Sequence, residues 1–149
     1  HRIKIVAMTQ MRFPESGDYD EMRVVRIEIE SIGPERPDPA SVRVEVSFFD
    51  RDGATGVVAL TRAMTPRSVV RLPGPWPNDG PHAVTAAYVV PPGFRARSGG
   101  AAQQFHGYVV RVFADDVLQD EAARPTDLLR QTTSKAAPAA AVAAGRGPR

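Results

Sequence analysis

The chain of 149 residues contains no cysteine and only three histidines. Disulfides and thiolate metal sites are therefore excluded, but a chain of this length can bury enough apolar surface to fold without them. No apolar run approaches the ~20 residues that a membrane-spanning helix requires. The longest candidate, Ala136 to Ala144, is alanine-rich and contains a proline. These absences favour a single domain without a transmembrane segment.

Lysine is also scarce, since only Lys4 and Lys135 occur and every other cation is arginine. The formal net charge of +2 is unevenly divided, because residues 124–149 carry an excess of cations and the remainder is slightly acidic. This use of arginine, with abundant alanine, proline and glycine, is typical of a GC-rich genome, and we expect a bacterial protein. Arginine content is therefore weak evidence for nucleic-acid binding, and the basic tail lacks the aromatic residues of a stacking mode.

Alternation of apolar and charged residues predicts antiparallel strands. In the stretch from Val42 to Phe48, every second residue is apolar and the residues between are polar, as in a strand with one buried face. Asp52-Gly53 and Gly56 then supply a hairpin turn. Further strands are predicted at Arg2–Met8, Met22–Ile32, Val57–Met64, Ser68–Leu72, His82–Val90 and Phe105–Ala114.

Seven strands separated by turn signals predict an all-β, antiparallel two-sheet sandwich. Over residues 2 to about 116 the pattern resembles immunoglobulin-like and fibronectin-III-like domains. The cysteine pair of antibody domains is missing, and the resemblance implies a fold but no function. Both constant-type and fibronectin-type strand orders fit this pattern.

The strand pattern stops after Asp116. Val117–Ala123 is predicted to form one or two helical turns and Thr126–Gln131 another turn. Residues 132–149 are rich in alanine and proline, with little to bury. The predicted organisation is a β-sandwich domain over residues 1–123 and an extended basic tail over 124–149.

Copper is the most specific cofactor that the sequence suggests, although we expect none. Copper proteins with a histidine brace begin with histidine, as this chain does at His1. The resemblance implies His82 or His106 as the second ligand, with Tyr108 as an axial ligand. Arg2 departs from the small residue usual at that position, and an ordinary chain start explains His1 without a metal.

Two acidic groups have the composition of calcium sites. Asp50, Asp52 and Gly53 match half of a calcium loop but lack its later ligands, and a turn with local backbone hydrogen bonds explains both aspartates. The second group consists of Asp115, Asp116, Asp120 and Glu121. A solvated surface or the cap of a short helix explains this group without a metal.

Two loops contain side chains suited to partner binding. Trp76 lies in a proline-rich loop, where it provides a platform for a sugar or a partner, or else covers one end of the sandwich. Phe94, Arg95 and Arg97 lie in the next long loop, where they form a candidate site for an anionic partner or simply a solvated loop.

No nucleophile elbow or phosphate-binding glycine loop is found, so we expect no enzyme. The sequence favours a structural or protein-interaction module in a larger assembly. Its protein partners are contacted through Trp76, the Phe94–Arg97 loop and the tail cations Lys135, Arg146 and Arg149. The start at His1 rather than methionine favours an exported, periplasmic or extracellular protein. The alternatives are a copper-binding protein and a carbohydrate- or small-ligand-binding module.

Overall fold

The computed structural model describes residues 2–97 and 102–131, which form two antiparallel sheets packed together. A short helix, α1, covers residues 127–131. Among these described residues, no helix has the length and apolar character needed to cross a bilayer. The predicted all-β sandwich is confirmed, and the described part of the chain forms eight strands: β1 (Ile3–Phe13), β2 (Glu21–Ser31), β3 (Val42–Asp52), β4 (Val58–Leu60), β5 (Arg67–Arg71), β6 (His82–Val90), β7 (Gln103–Ala114) and β8 (Val117–Arg124).

The first sheet contains three strands in the order β1-β2-β6. Val25, Ile27 and Ile29 of β2 are fully buried, so the predicted inward face of this strand is confirmed. The pairing of β1 with β2 shifts by one residue between Ile5 and Ala7, at a β-bulge. Past this bulge the even-numbered residues of β1 lie opposite the inward residues of β2.

The second sheet is built around β3, which pairs with β7 on one side and with both β4 and β5 on the other. β7 pairs in turn with β8. A constant-type immunoglobulin domain has four strands in one sheet and three in the other. The present order places three strands in the first sheet and five in the second. The constant-type order is therefore excluded.

The core lies between the two sheets. Val42, Val44, Val46 and Phe48 of β3 are fully buried, which confirms the inward face predicted from their alternation. They pack in one cluster with the inward residues of β2, β6 and β7. Burial of one such side chain contributes roughly 1.5–3 kcal/mol. This cluster accounts for a stable domain that has no disulfide.

The segment predicted as helix after Asp116 is instead the last strand, β8. Asp115 and Asp116 have φ angles of 51° and 64°, and two consecutive residues with positive φ form the tight hairpin turn that joins β7 to β8. The helix prediction for Val117–Ala123 was wrong because pairing with β7 outweighs local helix propensity. The acidic pair therefore forms a turn and not a helix cap.

Helix α1 covers part of the outer face of the second sheet. Its Leu128 is fully buried and packs with Phe49, Val109 and Ala123. The predicted helical turn within Thr126–Gln131 is confirmed. Leu128 shows that the described residues after β8 still pack against the sandwich. The rest of the predicted tail, with Lys135, Arg146 and Arg149, lies outside the described residues.

The two sheets are joined along one side by side chains of β8. The backbone N–H of Arg2 donates to Oε1 of Gln119 at 2.7 Å, and that of Ile5 donates to Oδ2 of Asp120 at 2.8 Å. We call these two contacts the β1–β8 seam. On the opposite side, the outer edge of β5 pairs with no other strand within the described part of the chain.

Candidate functional site

The interior of the sandwich ends in a layer of polar and aromatic side chains. On the first sheet, Arg12 lies opposite Arg23 and Arg23 lies opposite Tyr88. On the second sheet, Asp50 lies opposite Phe105. We call these five residues the polar layer. They continue the inward rows of the strands, so this end of the core is closed by charged and hydrogen-bonded groups instead of aliphatic ones.

Asp50 is the acceptor at the centre of the polar layer. It is only 4% exposed, and its carboxylate accepts hydrogen bonds from the hydroxyls of Thr61 and Tyr88, each at 2.6 Å. The expectation that Asp50 serves a turn was wrong, because β3 extends to Asp52 and keeps Asp50 on the inward face. Asp52 does serve the turn, since it accepts from the backbone N–H of Ala54 at 2.8 Å.

Tyr88 is held as a hydrogen-bond donor. Burial raises the pKa of its phenol, and the hydrogen bond to Asp50 raises the pKa further. The phenol is therefore protonated at neutral pH and donates to the carboxylate. Nη2 of Arg95 lies 3.4 Å from the same phenol oxygen, which links this buried group to the surface.

A β-bulge turns Phe105 into the polar layer. In the pairing with β3, Gly107 lies opposite Phe49 and Phe105 opposite Asp50, so His106 is an extra residue. Strict alternation from Tyr108 would direct Phe105 outward, and the bulge reverses its direction. The Phe105 ring then lies 4.8 Å from that of Tyr88, and the guanidinium of Arg23 lies 4.3 Å from its centroid.

Glu21 sits beneath three arginines. Its side chain is 5% exposed; Nη1 of Arg95 donates to Oε1 at 2.6 Å, Nε of Arg23 donates to Oε2, and Nε of Arg12 lies 3.8 Å from Oε2. Burial opposes ionisation of Glu21, but the hydrogen bonds from Arg95 and Arg23 outweigh it, so its pKa is lowered. The carboxylate is therefore ionised at neutral pH.

The loop before β7 is shaped to present Arg95. The carboxylate of Asp20 accepts from the backbone N–H groups of Gly93 at 2.9 Å and Arg95 at 3.1 Å. These bonds, that of Arg95 being the larger influence, lower the pKa of Asp20. Nε of Arg95 donates to the carbonyl oxygen of Gln103 at 3.1 Å. The guanidinium is thus fixed between the loop and β7.

Arg12, Arg23 and Phe105 of the polar layer line an open cleft of about 410 Å³ together with Glu21 and Arg95. Within the lining, three guanidinium groups accompany one carboxylate, so the cleft wall has an excess of two positive charges; Asp20 and Asp50 interact with Arg95 from outside the lining. Arg12 and Arg23 lie directly opposite each other on neighbouring strands, an arrangement of like charges that is ordinarily destabilising. We call this opening the arginine cleft. The residues that line it are Arg12, Glu21, Arg23, Arg95, Gln103, Gln104 and Phe105.

The lowered pKa of Glu21 gives a pH-dependent contribution to stability. Replacing Glu21 by glutamine is expected to lower the free energy of unfolding by about 2 kcal/mol at pH 7. A carboxyl group with a depressed pKa stabilises the fold above its unfolded value, for which the reference is 4.5. The difference between wild type and variant should therefore shrink as the pH falls below that value.

Urea unfolding of the wild type and Glu21→Gln from neutral pH to pH ~3 measures this difference. Glu28→Gln is the matched control, because Glu28 lies on the same strand with only a partly exposed ion pair to Arg26. A gap between wild type and Glu21→Gln that stays constant across this range would contradict the assignment.

Of the loop residues predicted to bind partners, only Arg95 lines the cleft. Trp76 covers the other end of the sandwich, where its indole N–H donates to the carbonyl oxygen of Pro37 at 2.8 Å. Phe94 packs partly buried against the core. Arg97 is exposed and donates to the carbonyl oxygen of Pro92 at 3.3 Å.

The two described histidines lie at opposite ends of the sandwich. His82 begins β6, with Nε2 3.0 Å from the carbonyl oxygen of Gly74, whereas His106 lies in the bulge beside Phe105. Phe105 contacts Tyr88, which is six residues further along β6 than His82, or roughly 20 Å. The two histidines therefore cannot share a site, and Tyr108 is buried at 2% exposure.

His1 lies outside the described residues, so copper binding through it stays a prediction. Within residues 2–97 and 102–131, no group of three or more potential ligands could hold a metal ion. The second acidic group is engaged internally. Asp120 accepts from two backbone N–H groups, and Glu121 pairs with Arg111 at 3.1 Å.

Comparison of the chain with protein families, curated proteins and solved structures finds no match in any of the three. The arginine cleft is thus characterised by its own geometry and charge.

Proposed function

We propose that this protein is a non-enzymatic interaction module that binds an anionic group of a partner protein in the arginine cleft. The observation that carries the proposal is the convergence of Arg12, Arg23 and Arg95 on the single carboxylate of Glu21. If these arginines contributed only to stability, apolar residues or balanced charges at the same positions would stabilise the domain more. An anion supplied by a partner balances the excess.

Arg12 is the group most available to such a partner. Its side chain is 68% exposed, and within the described residues its only polar contact is the 3.8 Å approach to Glu21. Arg23 and Arg95 are 20% and 26% exposed and are already oriented by Glu21. Oriented guanidinium groups lose little side-chain entropy when an anion binds, so the cleft is prepared for charge-assisted hydrogen bonds.

We infer an exported accessory subunit of a larger assembly, in which the basic residues after 131 contact the same partner as the arginine cleft. A cationic tail and a cationic cleft on one chain both favour an acidic partner surface. Two linked contacts of this kind raise the affinity through effective concentration.

Binding of a fluorescently labelled hexaglutamate peptide, followed by anisotropy at low salt, tests the proposed function. We expect saturable binding by the wild type and about fivefold weaker binding by Arg12→Ala, because one exposed cation is removed. Arg26→Ala is the matched control, since Arg26 is an exposed arginine on the outer face of the same sheet. Equal affinities of wild type and Arg12→Ala, or equal binding of hexalysine, would refute the proposal.

A further inference from the structure

The charge of the arginine cleft is better matched by a dianion than by a single carboxylate. Among the residues that line the cleft, three cations accompany the single carboxylate of Glu21, so the lining itself carries two unbalanced positive charges; the carboxylates of Asp20 and Asp50 interact with Arg95 but do not line the cleft. One carboxylate from a partner would leave one of these charges uncompensated. A phosphate monoester carries a charge of about −1.5 to −2 at neutral pH, close to the full excess.

The directions of the guanidinium groups favour a tetrahedral anion. They come from three separate segments, namely Arg12 from the end of β1, Arg23 from the start of β2 and Arg95 from the loop before β7. A planar carboxylate offers only two acceptor oxygens. Glu21 illustrates this limit, because one oxygen accepts from Arg95 and the other from Arg23. A phosphate offers three acceptor oxygens, which suits donors arriving from three sides.

The cleft also has room and further donors for such a group. Its volume of about 410 Å³ is within the range of sites that hold small ligands. The side chain of Gln104 lines it from β7 and is exposed. The side-chain amide of Gln103 donates to Oδ2 of Asp52 at 3.2 Å, and its backbone carbonyl oxygen accepts from Nε of Arg95. These two hydrogen bonds fix the position of Gln103.

We propose that the arginine cleft binds a phosphate monoester carried by a side chain of the partner protein. This inference rests on the proposed function and specifies its ligand. Arg12, the most exposed of the three arginines, closes over the phosphate, while Arg23 and Arg95 hold it from below. Glu21 keeps the two lower guanidinium groups in place when the cleft is empty.

Isothermal titration calorimetry on the full chain with three peptides of one sequence tests this inference. The peptides carry phosphoserine, aspartate or serine at the central position, and inorganic phosphate is a fourth probe. We expect the phosphoserine peptide to bind about tenfold more tightly than the aspartate peptide, because one more charge meets the field of the arginines. Arg12→Ala should remove most of this preference and Arg26→Ala none of it.

Glu21→Gln is expected to change the affinity for the phosphoserine peptide in the opposite direction from Arg12→Ala. Glutamine keeps one acceptor oxygen to orient an arginine but removes the resident negative charge, so phosphoserine binding is expected to tighten about fivefold, whereas a group that acted only by orienting the arginines would give weaker binding when replaced. Unchanged or weaker binding by a Glu21→Gln protein that is folded by circular dichroism would overturn the inference.

The remaining outcomes separate the inference from the proposed function. Equal binding of the phosphoserine and aspartate peptides overturns the phosphate assignment and leaves the proposed function standing. Failure of both peptides and of hexaglutamate to bind overturns both proposals. Inorganic phosphate that binds as tightly as the phosphoserine peptide supports phosphate as the ligand but overturns a partner protein as its source.

Discussion

Replacement of Asp50 by alanine is expected to lower the free energy of unfolding by about 3 kcal/mol, because two buried hydroxyls lose their acceptor. Thr61 is 3% exposed and Tyr88 is fully buried, so water cannot easily replace the carboxylate. Urea denaturation at neutral pH measures the loss. The effect is a property of the whole polar layer, since Tyr88 also contacts Phe105 and Arg95.

Asp52→Ala is the control for this experiment. Asp52 belongs to the same strand but caps the turn through backbone N–H groups, so its loss should cost about 1 kcal/mol or less. Asp50→Asn retains one acceptor oxygen and should fall between the two. A cost for Asp50→Ala no larger than that for Asp52→Ala would show that the buried carboxylate does not organise this end of the core.

Replacement of Gly107 by alanine is expected to destabilise the fold by about 3 kcal/mol through a backbone clash. A Cβ at this position would overlap the carbonyl oxygen of Arg124 and lie 2.7 Å from Cδ of Pro125. These atoms belong to the segment that leads into α1. Relief of the clash therefore requires that segment to move away from β7, which exposes Leu128.

Thermal or urea unfolding gives the loss for Gly107→Ala, and hydrogen exchange of the amides in residues 127–131 locates it. Gly17→Ala is the matched control, because no atom of the described residues lies within 4 Å of the added methyl group and no positive φ is involved. Its effect should stay within about 0.5 kcal/mol. Protection of the α1 amides that is unchanged by Gly107→Ala would contradict the steric explanation.

The sheets were predictable from the sequence where one face of a strand is apolar. Alternation identified β2, β3, β6 and β7, and their inward residues are the buried ones. β8 was missed because its most buried positions are Gln119 and Ala123, which give no apolar period. Its pairing depends on the positive φ angles of Asp115 and Asp116, a conformation that aspartate adopts more often than most residues but that its presence alone does not require.

The arginine cleft was only partly predictable. The loop hypothesis includes Arg95, whereas Arg23 falls within the predicted strand Met22–Ile32 and Arg12 and Glu21 fall outside every predicted strand. A signal was present, because Glu21 and Arg23 continue the inward row of Val25, Ile27 and Ile29 with charged residues. A charged residue on the buried side of a predicted strand is a reason to look for a site. The inward turn of Phe105 was not predictable, since the bulge at His106 follows from tertiary pairing.

The β1–β8 seam and the open edge of β5 also determine how copies of this protein behave at high concentration. In the seam, the backbone N–H groups of Arg2 and Ile5 already donate to side chains of β8. They are therefore not available to pair with a strand of another copy. The β5 edge is short, and its exposed residues are Val69 flanked by Arg67 and Arg71. Antiparallel pairing of two copies centred on Val69 would place Arg67 of one opposite Arg71 of the other. Like-charge repulsion between these arginines is therefore expected to disfavour pairing of two copies at the β5 edge.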